Sequence, residues 1–153
     1  MDDAAPRVLK RLDAAWAAFC DSYAGLSEAE LVTPGVVGDW SVKDILAHVT
    51  TWEEEALKYL PVIAEGGRPP RYAAVGGIDA FNARMTEQKR GRSLAEVSRQ
   101  LQETHHRLVD LVRQAPGDQL AGETRFRRRL RLDTYGHYAE HAKAILEWRS
   151  RSR

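Results

Sequence analysis

Apolar residues recur at the three- and four-residue spacing of an α-helix over most of the chain, and the alternation typical of strands is scarce. We expect a first helix over residues 5–23, a second from residue 42 to about 60, and a third near residues 78–89. A fourth begins at residue 94, and the last runs from about 133 to 148. This pattern predicts an all-α fold, a four-helix bundle whose long crossing connection carries the extra third helix.

The starts of two of these helices carry clear local signals. Ser41 and Asp44 have the spacing of a capping box, in which each side chain accepts a hydrogen bond from the backbone N–H of the other residue. Ser93 and Glu96 have the same spacing at the start of the fourth helix. We expect the second helix to end near Pro61 or shortly after it, because proline lacks an N–H and disrupts a helix interior.

Composition narrows the class of protein. A chain of 153 residues is typical of one domain, so we expect a single domain over residues 1–153. With 23 basic and 22 acidic side chains, the net charge of +1 gives no global attraction to nucleic acid or to anionic membranes. Cys20 is the only cysteine, and the chain has neither a signal-peptide pattern nor an apolar run long enough to span a membrane. We therefore expect a cytoplasmic protein without membrane association.

Two histidines one turn apart lie in the last predicted helix. His137 and His141 share a helix face, with Cβ atoms about 5–6 Å apart, and imidazoles at that separation can hold one transition-metal ion. His48 lies on the face of the second helix that carries Asp44 and Trp52, and it could point across the bundle. Three histidines would leave one coordination position open, as in catalytic zinc sites. Spacing alone leaves an alternative, in which His137 and His141 are four residues apart by chance and His48 is a packed core residue.

The order of these motifs resembles the DinB/YfiT-like superfamily, and particularly its ClbS/DfsB branch of four-helix proteins. The residues that carry the resemblance are Trp40-Ser41-Val42 with Asp44, then His48, Trp52-Glu53, His137 and His141. It implies a zinc or nickel ion held by one histidine of the second helix and a pair from the last, which correspond to His48, His137 and His141. It also implies homodimers, and the reaction of a small electrophile with water or a thiol at the metal.

We therefore predict a metal-dependent hydrolase or thiol transferase of a small electrophilic substrate, of the detoxification or self-resistance type. The transferase would also use a low-molecular-weight thiol. Candidate proton acceptors on the two ligand-bearing helices are Glu53, Glu55, Tyr135 and Glu140. We expect the side chains of Trp52, Tyr135 and Asn82 to line the substrate pocket.

The competing class of function is binding without catalysis. Five arginines in residues 125–131 could contact phosphates. The chain lacks both an overall basic charge and a recognisable reading helix, so we interpret this segment as a solvated connection and do not expect nucleic acid as a partner. A metal-free bundle that binds a small molecule or another protein is a further alternative. His105 and His106 are adjacent and point about 100° apart on a helix, which argues against their chelating a metal together.

Overall fold

The structure, a computed structural model, describes residues 4–152, and helices make up most of it. The helices are α1 (Ala4–Tyr23), α2 (Glu28–Leu31), α3 (Val42–Ala64), α4 (Ile78–Lys89), α5 (Leu94–Gln114), α6 (Gly117–Leu120), α7 (Arg125–Asp133) and α8 (Tyr135–Arg151). A short 3₁₀ helix spans Tyr72–Val75, and an isolated antiparallel bridge joins Val37 to Trp40. The prediction of an all-α fold is confirmed. None of the helices in the described part of the chain is both long and apolar enough to cross a membrane.

The four long helices α1, α3, α5 and α8 form the bundle. Helix α1 packs along α8 and α3 packs along α5, with smaller contacts between α1 and α5 and between α3 and α8. Helix α4 lies in the α3–α5 connection and packs on α3, as predicted for the extra helix. The largest fully buried side chains include Leu12, Phe19, Ile45, Leu46, Leu60, Leu101, Leu108, Tyr138 and Ile145. Burial of one such aliphatic or phenylalanine side chain contributes about 1.5–3 kcal/mol, so this core holds the ligand-bearing helices in place.

The capping box predicted at the start of α3 is confirmed. The Asp44 N–H donates to Ser41 Oγ at 3.1 Å, and the Ser41 N–H donates to Asp44 Oδ2 at 3.0 Å. At α5 the hydroxyl of Ser93 accepts from the Glu96 N–H, but the Glu96 carboxylate pairs with Arg99 instead of completing the box. The paired hydrogen bonds give α3 a defined first turn.

Helix α3 continues past Pro61 to Ala64, so it ends shortly after the proline, as expected. The missing N–H of Pro61 removes only one bond near the end of the helix, and the following turn is closed by a Schellman motif. The N–H groups of Gly66 and Gly67 donate to the carbonyls of Ile63 and Val62, each at 2.9 Å. Gly66 has a φ of 86°, which only glycine adopts at low cost. Glycine at this position therefore allows the turn that ends α3 to form.

The arginine-rich segment is helical, which corrects its interpretation as a solvated connection. Thr124 caps α7 by accepting a hydrogen bond from the Arg127 N–H at 3.0 Å. Phe126 and Leu130 are buried at i, i+4 spacing as α7 packs against α3, so an apolar face underlies the arginines. A Cβ atom at Gly136 would lie 2.8 Å from the carbonyl oxygen of the last arginine of the segment, so glycine allows α8 to follow α7 directly.

Candidate metal centre

Three histidine side chains from two helices converge at one point. His48 comes from α3, and His137 and His141 come from successive turns of α8. The Nε2 atom of His137 lies 3.0 Å from Nε2 of His48 and 2.9 Å from Nε2 of His141. Zinc–imidazole bonds are about 2.0–2.1 Å long, so nitrogens about 3 Å apart can bind the same ion. The structure therefore brings together the three residues that sequence reasoning proposed as ligands.

Burial keeps these histidines neutral. It lowers the pKa of His48 to about 3 and that of His137 to about 2, with smaller contributions from the neighbouring histidines. Burial also lowers the pKa of His141. A charged imidazole is disfavoured here because the surrounding protein solvates it poorly. Neutral imidazole is the form that binds metals, so the cluster is ready to bind an ion at neutral pH.

The hydrogen-bonding of the cluster fits a divalent transition metal. Three Nε2 atoms face one another, and a cation at their centre would accept a lone pair from each. The Nδ1 atoms of His137 and His141 are buried, and within residues 4–152 they have no hydrogen-bond partner. The donor set therefore fits zinc or nickel. Among the described residues, His137 and His141 lack the acceptor that commonly binds the second nitrogen of a ligating histidine.

A cavity of about 570 Å³ opens onto the three histidines. Two of the residues predicted to line a pocket do line it: Trp52 from α3 and Asn82 from α4. The Trp52 indole N–H donates to Asn82 Oδ1 at 2.9 Å, which fixes the amide and directs its NH₂ group elsewhere. The ring of Trp40 packs against that of His48, with centroids 4.8 Å apart. A cavity of this size is in the range that holds small-molecule ligands.

Tyr135, which we expected in the pocket, does not line this cavity. Its side chain is buried, and the Arg11 guanidinium of α1 lies 5.0 Å from the centre of its ring. Tyr135 precedes His137 by two residues, which on a helix corresponds to a rotation of about 200°. The two side chains therefore point to opposite sides of α8.

The candidate proton acceptors occupy different environments. The Glu53 carboxylate is fully buried and bonded within the bundle core, away from the cavity. Glu55 accepts a hydrogen bond from the Tyr72 hydroxyl at 3.0 Å and pairs with Lys58. Of the predicted glutamates, Glu140 lines the cavity. The structure thus separates Glu53 from the histidine cluster, although the two lie close in the sequence.

Sequence reasoning missed a carboxyl group that lines the cavity. Asp133, at the end of α7, is only 3% exposed and accepts a hydrogen bond from Arg129 Nε at 2.6 Å. Arg129 Nη2 also donates to the Tyr72 hydroxyl at 2.6 Å. Burial raises the pKa of Asp133 to about 7, and this effect outweighs the opposite effect of the Arg129 charge. The i, i+4 spacing of the two residues was the available signal, but it has meaning only if the segment is helical.

A second cluster, the core layer, takes one side chain from each long helix: the buried Glu53, His105 and Tyr138 and the partly buried Trp16. The Tyr138 hydroxyl donates to Glu53 Oε2 at 2.7 Å, and His105 Nδ1 lies 2.8 Å from the same oxygen. The Trp16 ring stacks on that of His105, with centroids 3.5 Å apart. Burial raises the pKa of Glu53, which His105 and Tyr138 oppose by hydrogen bonding. His105 is therefore a core residue that bonds to Glu53.

Comparison with known proteins identifies the family. A family model described as the DinB superfamily matches residues 11–144. The chain belongs to the DinB superfamily. Two solved structures with the same DinB-like fold are the colibactin self-resistance protein ClbS in complex with a dsDNA and the sibling lethal factor precursor DfsB. ClbS is 15% identical, with 94% of this chain and 93% of that chain covered, at a TM-score of 0.77. DfsB is 12% identical, with 100% and 99% covered, at a TM-score of 0.79.

An uncharacterised protein from Escherichia coli UTI89 shows the same DinB-like fold. It is 14% identical, with 97% of this chain and 94% of that chain covered, at a TM-score of 0.77. Among curated proteins none matches this chain. At such low identities the structural likeness establishes the fold alone, and the resemblance noted from the sequence is confirmed at that level.

The expectation that nucleic acid is not a partner is corrected by this comparison. ClbS, a protein of the same DinB-like fold, is in complex with dsDNA. The expectation came from a near-zero net charge and from the lack of a reading helix. Net charge is a property of the whole chain, whereas phosphates respond to the local distribution of charge. Neither observation therefore excludes nucleic acid as a partner of this fold.

Proposed function

We propose that this DinB-superfamily protein is a metal-dependent enzyme that uses His48, His137 and His141 to hold one zinc or nickel ion. Its reaction would be hydrolysis of a small electrophilic substrate or transfer of a thiol to it. The observation that carries the proposal is the convergence of three neutral imidazoles on the wall of a cavity. When bound, the ion supplies a Lewis acid that makes water or a thiol a stronger nucleophile at neutral pH.

The remaining cavity residues have separable roles in this proposal. Asp133 takes the proton of the nucleophile on Oδ1, because Oδ2 accepts the hydrogen bond from Arg129. A carboxyl with a pKa near 7 can both accept and return a proton at neutral pH. Arg129, itself bonded to Tyr72, keeps Asp133 oriented. The amide NH₂ of Asn82 is left to donate to substrate, and the Trp40 ring excludes water from one side of His48.

Metal titration of protein purified without an affinity tag tests the proposal. Isothermal titration with Zn²⁺ and with Ni²⁺ should give one ion per chain. The variant His48→Ala should weaken binding by more than about 100-fold, since even residues that only orient a ligand contribute about 10–100-fold. His106→Ala is the matched control, because His106 is exposed and outside the cluster, and it should leave the affinity unchanged. Wild-type protein that takes up no metal would contradict the proposal.

Binding of duplex DNA is a second candidate, favoured by the complex of ClbS with dsDNA. Helix α7 carries five arginines, of which Arg128 is exposed. Fluorescence anisotropy with a labelled duplex should then show an affinity that falls as salt concentration rises. Arg128→Ala should weaken binding, whereas Arg113→Ala on α5 should not. Equal effects of the two substitutions, or an affinity independent of salt, would exclude specific use of α7.

A further inference from the structure

The mouth of the cavity is lined by large apolar side chains that solvent reaches. Val37, Ile78 and Leu132 are 43%, 53% and 69% exposed, and all three line the cavity. Single exposed apolar residues are common on protein surfaces and need no explanation. These three, which we call the apolar rim, come from the loop before α3, the start of α4 and the end of α7. Their convergence on one opening therefore does not follow from the amphipathicity of any one helix.

Aromatic side chains continue this apolar surface from the rim to the histidines. Tyr72 and Trp52 lie on the wall, with ring centroids 5.2 Å apart. The Trp52 ring is in turn 6.5 Å from that of His137. Trp40 lines the same cavity beside His48. An elongated ligand could thus contact apolar groups along its length while one end reaches the histidine cluster.

The charges of the cavity disfavour an anionic ligand. Among the described residues, three carboxyl groups line it, those of Asp79, Asp133 and Glu140, against the single guanidinium of Arg129. That guanidinium is already bonded to Asp133 and to Tyr72. A bound divalent ion would offset this excess of carboxyl groups. An uncharged ligand meets no net repulsion there, whereas a carboxylate or phosphate does when no metal is bound.

We propose that the substrate is an uncharged molecule with a reactive head and an extended apolar portion. The head lies at His48, His137 and His141, and the apolar portion lies across the rim formed by Val37, Ile78 and Leu132. The chemistry at the reactive head rests on the proposed function, namely that the three histidines hold a metal ion. The apolar contact is a property of the rim itself, so it can be tested with and without metal.

A chain-length series tests the rim on the zinc-loaded protein. Straight-chain alkyl hydroxamates from acetohydroxamate to octanohydroxamate share one metal-binding head and differ only in the tail. Each methylene that the rim covers should tighten the dissociation constant by up to about fourfold, the factor corresponding to about 0.8 kcal/mol. Leu132→Ser and Ile78→Ser should reduce this dependence on length and leave acetohydroxamate binding unchanged. Leu146→Ser is the matched control, because Leu146 is 52% exposed but does not line the cavity.

The same substitutions are then compared on the metal-free protein with primary alcohols from 1-butanol to 1-octanol and with octanoate. Binding should tighten with alcohol length, depend on Leu132, and be weaker for octanoate than for 1-octanol. Affinity independent of tail length, or equal effects of Leu132→Ser and Leu146→Ser, would overturn the apolar contact. Octanoate binding as tightly as 1-octanol would overturn the preference for an uncharged ligand. Failure of the chain to take up zinc would contradict the proposed function, and the alcohol series would still decide the role of the rim.

Discussion

Two clusters of buried polar side chains bridge α3 and α8, and they differ in how their hydrogen bonds are satisfied. In the core layer, His105 and Tyr138 both bond to Glu53 Oε2, which links three helices through one carboxylate, while Glu53 Oε1 has no partner among the described residues. In the histidine cluster, the imidazole nitrogens face one another, and the buried Nδ1 atoms of His137 and His141 have no partner within the described chain. Buried polar groups that pair with one another rigidify a core, whereas those left unpaired in a cavity indicate a function.

The two clusters use neighbouring residues in the sequence. Helix geometry separates them in space, because adjacent residues on a helix point in different directions. On α8, His137 and Tyr138 are adjacent and point about 100° apart, one toward the cavity and the other into the core. On α3, Trp52 and Glu53 divide in the same way. The core layer should therefore contribute to the stability of the bundle, and the histidine cluster should contribute to ligand binding at some cost to stability. Substitutions that separate these two contributions test the comparison.

The largest effect is expected from Glu53→Ala. It leaves His105 and Tyr138 buried without their shared acceptor, which should lower the free energy of unfolding by about 3–5 kcal/mol. Urea unfolding followed by circular dichroism measures this change. Glu147→Ala on the exposed surface of α8 is the control and should change it by less than about 0.5 kcal/mol. Because the alanine variant can fail to fold, Glu53→Gln serves as a milder substitution that keeps an acceptor. A loss for Glu53→Gln no larger than that of the control would contradict the role of the core layer.

The pH dependence of stability should distinguish the histidine cluster. The pKa of His137 is about 2 in the folded protein, whereas that of histidine in an unfolded chain is about 6.5. Below pH 6.5 the unfolded chain takes up a proton that folded His137 does not, so the free energy of unfolding falls as the pH falls. Between pH 7.5 and 5.0 this linkage amounts to about 2 kcal/mol for the metal-free protein.

Urea unfolding at several pH values measures this term. His137→Leu should lose about 2 kcal/mol less than the wild type between pH 7.5 and 5.0, because its unfolded chain has one fewer proton to take up. Leu146→Ala, which changes an exposed residue without a titratable group, should retain the wild-type dependence. Parallel curves for the wild type and His137→Leu would show that folded His137 takes up a proton as readily as it does in the unfolded chain.

Tyr138→Phe should have an intermediate effect. It removes the hydroxyl that donates to Glu53 at 2.7 Å and keeps the buried ring, so the loss should be about 1–3 kcal/mol. Tyr23→Phe is the control, because within the described chain the Tyr23 hydroxyl donates only to the weakly accepting sulfur of Cys20, at 3.9 Å. It should cost less than about 0.5 kcal/mol. Equal losses for the two variants would mean that the hydrogen bond to Glu53 contributes nothing specific.

The smallest effect is expected from His137→Leu at neutral pH. Leucine is similar in volume to histidine and removes a buried Nδ1 that has no partner in the described residues. The metal-free variant should be as stable as the wild type to within about 1 kcal/mol, or more stable. Thermal unfolding of both proteins in the presence of a chelator measures this. A decrease of 3 kcal/mol or more in the free energy of unfolding would mean that the histidine cluster stabilises the bundle as the core layer does.

The sequence was sufficient to predict the elements with strong local signals. Ser41 and Asp44 mark the start of α3 by their own hydrogen bonds, and the i, i+4 histidines depend only on helix geometry. The helix face of His48 made it a candidate for the third member of the cluster, and the resemblance to the DinB/YfiT-like superfamily supported that choice. These predictions required either neighbouring residues or a family pattern.

Residues whose environment depends on long-range packing could not be predicted in the same way. The arginines of α7 concealed its apolar face, so Asp133 was not recognised as a cavity residue. Glu53 has the same local sequence character as Glu55, and only the packing of α5 and α8 shows that it is buried beside His105 and Tyr138. Tyr135 likewise lies away from the cavity because its side chain is on the opposite side of α8 from that of His137.

Diffraction at a metal absorption edge tests the central claim most directly. Crystals of the tag-free protein grown with one equivalent of Zn²⁺ should give an anomalous difference peak among the three histidines. The peak should lie about 2.0–2.1 Å from Nε2 of His48, His137 and His141. Stoichiometric zinc bound elsewhere on the chain, with no peak among these three nitrogens, would contradict the account.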